Sequence, residues 1–387
     1  MSSFASLNHN RSDAISANSR AARSARGLLP AAGLFLLAPL VAEFLSGNMS
    51  ITRLGMLVIL APLYGGGALL IPEWVRKAGR GWPSIFVLAL AYGSLEEAFL
   101  TQSLFNPNFL GQNLRLLEPA YFPSLGIGAW WTVFVLTLHT VWSIPVPIAL
   151  IETFVPQHAD SPWLSRLCIG LIAAVFMLAC ISVGSFSIRT DPIHFVASRA
   201  QFTSSAIIIL VLIAFAFSLP RLSTKRGTGR VPNSWILGIG SFTLASTFLL
   251  IPRTWAWWAV LSYFSLDVLT IALVWNWSRR AAWRKIHTLS LAAGAAMAYA
   301  LHAFFQTPSL GDTSGVTRIG NLSVPHNPIW NSEFQAHAAF TKSRCDCISL
   351  IVRPDAALVG APNRLMDWIA ARPPAILRSR HRSCNRH

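Results

Sequence analysis

Nine long apolar blocks joined by short polar links constrain this chain more than any other feature, at 28–45, 54–71, 82–100, 126–151, 167–186, 204–220, 235–252, 256–277 and 289–306. A helix needs about 20 apolar residues to cross the hydrocarbon core of a bilayer. A soluble helix of that length would carry a polar face instead. Only 12% of the 387 residues are charged, against about 25% in ordinary soluble domains. Trp82, Trp130, Trp131, Trp163, Trp235, Trp255 and Trp277 fall at block ends, where an amphipathic ring settles at headgroup level. The fold expected is an all-α, polytopic transmembrane helix bundle of about nine spans, with the lipid bilayer as its partner.

Three regions follow from this pattern: a basic N-terminal tail at 1–26, a transmembrane helical domain at 27–306, and a basic tail at 307–387. The tail has no helical or strand periodicity and reads as disordered. It holds Cys345, Cys347 and Cys384, while Cys168 and Cys180 fall in one apolar block as packing residues. The formal charge of +16 does not mark a nucleic-acid partner, because the positives of the core cluster in alternate loops. Sixteen basic residues precede the first block or follow the even-numbered ones, and five (Arg53, Arg115, Arg189, Arg199, Arg253) occupy the opposite loops. The positive-inside rule then places the N-terminus in the cytoplasm, the expected membrane being the bacterial inner membrane.

Ionisable groups inside the spans are costly and mark candidate sites by default. Glu43, Glu96, Glu97, His139, Asp267 and His302 all lie within apolar blocks. With a rise of about 1.5 Å per residue, Glu96 sits roughly 20 Å from the inner end of its span and His139 roughly 16 Å from the outer end of the next. Both therefore reach the outer half of a core about 30 Å thick, as do Glu43, Asp267 and His302. Tyr92-Gly-Ser-Leu-Glu96-Glu97-Ala-Phe-Leu-Thr-Gln102 is the densest polar patch. Adjacent glutamates on a helix project about 100° apart, with Tyr92 on the face of Glu96 and Thr101 on that of Glu97. Two carboxyls so close in low dielectric form an acid/base pair or a proton or cation site. His139 shares a helix face with Trp142 and Ser143, and Pro145 and Pro147 then interrupt its span. Gly65-Gly66-Gly67 reads as close helix packing or a local kink.

A Glu-Glu pair with a histidine on the following span resembles the CAAX-processing and bacteriocin-maturation family of intramembrane metalloproteases. Glu96 and Glu97 match that family's first pair; Thr101 stands where an Arg is expected, and Phe134 precedes His139 by five residues instead of four. His302-x-x-x-Gln306 is the candidate for the family's third motif. The resemblance implies that Glu96 or Glu97 activates water while His139 and His302 hold a zinc ion.

Three functional classes stay open at this level. An intramembrane metal-dependent hydrolase would use Glu96, Glu97 and His139 as catalytic residues. A small-solute or proton-coupled transporter would line a cavity with the same groups. A non-catalytic membrane scaffold would tolerate alanine at each of them.

Overall fold

The computed structural model describes residues 27–157, 159–221 and 227–305. The two tails, with Cys345, Cys347 and Cys384, lie outside the described residues, as does Gln306 at the end of the last block. Each of the nine apolar blocks forms a helix: α1 Gly27–Leu45, α2 Ile51–Lys77, α3 Trp82–Leu100, α4 Ala129–Phe154, α5 Arg166–Thr190, α6 Arg199–Ser218, α7 Ser234–Leu250, α8 Trp257–Ser278 and α9 Lys285–Ala303. Seven are long and apolar enough to cross a membrane. The others are α7, which has only 17 residues, and α9, which is rich in alanine and carries His287 and His302. These two pack closely on each other, because Gly294 lies so near α7 that a Cβ there would come within 2.3 Å of the Gly238 carbonyl. Small residues at such a crossing let two backbones meet. Among the described residues the one strand pair is a hairpin of β1 Tyr121–Phe122 and β2 Ile127–Gly128 in the α3–α4 loop.

Contacts between links show that successive helices run in alternate directions. At the hairpin end, Asn106 donates to Asp191 at 2.5 Å and Arg253 to the Leu114 carbonyl at 3.0 Å. At the opposite end, Glu73 accepts from the Trp163 and Leu164 backbone amides. Arg76 there is paired with Glu152 and lies over the Trp163 ring. Lys285 reaches the Pro156 carbonyl, and Gly227 forms a bridge with Arg280. The chain thus enters α1 at the opposite end and leaves α9 at the hairpin end.

The centre of the bundle is α2, α3 and α4. In α3, 67% of the most apolar window is buried, against 6% in α5. Helix α5 turns Leu167, Leu171, Leu178, Ile181 and Phe186 outward, and α6 turns out Ile207, Leu210 and Phe215. Exposed leucine and isoleucine around a polar centre is the arrangement a lipid solvent selects, since acyl chains accept apolar side chains and not carboxylates.

Candidate functional site

Four of the helices contain a π-helical turn, and each such turn carries a polar residue of one cluster. The turns are Leu40–Leu45 in α1, Ala61–Gly65 in α2, Glu96–Leu100 in α3 and His139–Ser143 in α4. They bear Glu43, Tyr64, the Glu96–Glu97 pair, and His139 with Ser143. A π turn inserts one residue into a helix, which re-aims the side chains around it, and such turns gather at functional sites. The turn in α4 precedes Pro145, with Ile144 (φ −118°, ψ −65°) as the link between them.

Glycine brings these helices together. A Cβ at Gly65 would lie 2.1 Å from the Phe35 carbonyl oxygen, so α1 and α2 touch backbone to backbone. One at Gly67 would strike the Tyr92 ring at 2.6 Å, and one at Gly93 would lie 2.7 Å from His139 Cβ. The glycine run thus serves close packing, as its composition suggests. Gly93 is the reason the α4 imidazole reaches the α3 carboxylates.

Glu96, Glu97 and His139 offer ligand atoms that all lie within 4.8 Å of one another. They are 4%, 6% and 6% exposed. His139 Nε2 is 2.8 Å from Glu97 Oε1, and Nδ1 is 3.0 Å from Ser143 Oγ and 3.4 Å from Glu96 Oε2. In the neutral ring, Nε2–H donates to Glu97 and Nδ1 accepts from the serine hydroxyl. The other Glu97 oxygen accepts from Thr101 at 3.0 Å and from Ser103, whose hydroxyl in turn accepts from Trp131 Nε1 at 2.9 Å. Tyr64 Oη lies 2.5 Å from both Glu96 Oε1 and Glu43 Oε1, and Asn48 donates to Glu43 Oε2 at 2.6 Å. One phenolic hydrogen serves only one of these two contacts at a time. Glu96 Oε2 and Tyr92 Oη are buried without a well-formed hydrogen bond among the described residues. Tyr64 stacks on His139 at 6.2 Å and Tyr92 meets it edge-on at 6.1 Å, forming aromatic walls.

The segment after α3 seals the cluster from the hairpin end. Gln102, Ser103 and Asn106 are buried, and Leu104 and Phe105 pack with Ala98, Val135 and Ala197. Gln102, singled out in the polar patch, lies beyond the helix with φ at +55° and accepts from the Ala197 amide at 2.7 Å, so it fastens the plug.

Two expectations from sequence need correction. His302 is half-buried near the end of α9 and lies outside the Glu96–Glu97–His139 group, so the expected two-histidine ligand set is not assembled. Its neighbour Ala303 packs against Gly47, beside the α1–α2 link. Asp267 also lies apart, accepting from Thr137 at 3.0 Å in a separate cavity. The shared depth read from the spans is one coordinate and does not by itself bring these residues to one point. Conversely, sequence reading passed over Tyr64, the link between Glu43 and Glu96. A hydroxyl beside three glycines in mid-span was its only signal.

The fold and the site define a multi-pass helical membrane protein with a buried Glu-Glu-His group. A family model described as an uncharacterized membrane protein family matches residues 34–330, and the chain belongs to that family. No curated protein and no solved structure matches it.

Proposed function

We propose that Glu96, Glu97 and His139 form the metal-binding, acid–base centre of an intramembrane metal-dependent hydrolase. The observation that carries this reading is the convergence of two carboxylates and one imidazole, all buried, on atoms within 4.8 Å of one another. A metal fits their chemistry: Glu96 Oε2 is a buried acceptor lacking a well-formed partner, and Ser143 holds the second nitrogen of His139 as an outer partner does in metal sites. A divalent ion held by these residues would polarise a carbonyl and acidify a bound water. With one histidine and two carboxylates, the donor set suits iron or manganese as well as zinc.

The chain's own residues divide the remaining work. Glu97 is anchored by Thr101 and Ser103 on one oxygen, which leaves the other, beside His139 Nε2, free to join that nitrogen as a ligand. Glu96 has one oxygen fixed by Tyr64 and the other without a well-formed hydrogen bond, 3.4 Å from His139 Nδ1, which makes it the carboxylate suited to take a proton from water. The plug of Gln102 to Asn106 keeps bulk water out at the hairpin end. The substrate class is an amide or peptide bond presented within the membrane, in keeping with the resemblance to the CAAX-processing family. The basic loops orient the N-terminus to the cytoplasm, with the bacterial inner membrane as the site of action.

A second reading, a proton-coupled transporter, is favoured by the Asn48–Glu43–Tyr64–Glu96 chain leading from the hairpin end to the imidazole. Elemental analysis of the detergent-purified protein separates the two. The hydrolase requires close to one transition-metal ion per chain, lost in His139→Ala and Glu97→Ala. Metal-free wild-type protein, folded and still binding no added zinc, iron or manganese, would leave the transporter reading in its place.

A further inference from the structure

Asp267 is a carboxylate in mid-span that the Glu-Glu-His centre does not use. It stands in a cavity of about 220 Å³ between α4, α7, α8 and α9. Helix α8 supplies Asp267, Thr270, Val274 and Trp277 from one face, and α7 closes the other side with Gly240 and Leu244. From Asp267 to Trp277 the groove runs about 15 Å along α8. Thr137 occupies one carboxylate oxygen. Among the described residues Asp267 forms no ion pair, and no basic side chain lines the cavity. Gly240 keeps the space open: a Cβ there would meet nothing within 4 Å.

A carboxylate in hydrocarbon calls for a positive partner, and here the protein provides an acceptor, an apolar groove and no cation. We propose that the cavity is a binding site for a cationic amphiphile, a protonated amine on an apolar chain, with the ammonium group on Asp267 and the chain lying along α7 and α8 toward Trp277. The complementarity is that of one charge and one apolar track. A neutral alcohol of the same length lacks the charge, and a fatty acid carries the wrong one. This proposal does not depend on the reading of the Glu96–Glu97–His139 centre.

The test uses the full chain in detergent micelles and an octylamine carrying a photoreactive diazirine. Crosslinks are expected within 236–248 and 266–277, with unlabelled octylamine displacing the probe and octanol displacing it about tenfold less well, as expected for loss of a charged hydrogen bond. Asp267→Asn is expected to lower labelling about tenfold. Gly240→Leu puts side-chain volume into the groove from a Cβ position that meets nothing within 4 Å and should abolish labelling, with the fold checked by its melting curve. Equal competition by octanol, equal labelling of wild type and Asp267→Asn, or labelling that survives Gly240→Leu would each overturn the proposal. The octanol comparison needs only the wild-type chain, so it decides the matter even if a variant misfolds.

Discussion

Replacing Gly93 with alanine tests whether the α3–α4 approach builds the site. A methyl at Gly93 would lie 2.7 Å from His139 Cβ and 3.2 Å from its Cγ. Carbon atoms settle at about 3.5–4.0 Å, so α4 or the imidazole must retreat by about 1 Å. Overpacking of this kind costs about 1–3 kcal/mol, offset by the gain of about 0.8–1.0 kcal/mol when alanine replaces glycine inside a helix. Gly240→Ala is the control: its methyl meets open space, so only the gain of about 0.8–1.0 kcal/mol applies. Gly93→Ala should therefore be less stable than Gly240→Ala by about 1–3 kcal/mol, read from unfolding in mixed micelles titrated with SDS. The same retreat stretches the 2.8 Å contact between His139 and Glu97 beyond hydrogen-bond range, so metal uptake should weaken in Gly93→Ala alone. Equal stability and equal metal uptake in the two variants would refute the argument that Gly93 places the imidazole.

Further outcomes follow from other contacts. Tyr64→Phe removes the hydroxyl between Glu43 and Glu96 and should destabilise the protein by about 1–3 kcal/mol, measured in the same unfolding assay; no loss would mean that the short contacts carry no net stability. Arg76→Met leaves Glu152 buried without its cation and should cost about 3–5 kcal/mol, with Arg76→Met/Glu152→Leu recovering most of it. A double variant as unstable as the single one would show that packing, and not charge, dominates there. Asn106→Ala should free the link between α5 and α6 from the plug and expose 192–198 to limited proteolysis, because Asn106 Nδ2 is the side-chain donor to Asp191 Oδ2. An unchanged digestion pattern would contradict that role.

Several features were legible in the residues alone because they depend on local composition. Apolar runs of about 20 residues can satisfy their backbone only as helices in lipid, so all nine blocks appear where the sequence places them. Thr101 on the face of Glu97, and Ser143 on that of His139, followed from helical spacing and are realised as hydrogen bonds of 3.0 Å each. The nearness of Glu96–Glu97 to His139 was also foreseeable, since both lie at a common depth on consecutive spans.

Tertiary structure alone decided which residues of that depth meet. Depth is one coordinate, and the two lateral coordinates come from how helices pack around one another. Gly65, Gly67 and Gly93 set those approaches through missing side chains, and a glycine in a string of residues does not announce its neighbour. The π turns carry Glu43 and Tyr64, and Tyr64 meets both Glu43 and Glu96, while Asp267 and His302 lie outside the Glu96–Glu97–His139 group. Hydropathy therefore determined that this chain is a membrane bundle with buried charge, and helix packing determined that two glutamates, a histidine and an unforeseen tyrosine share one site.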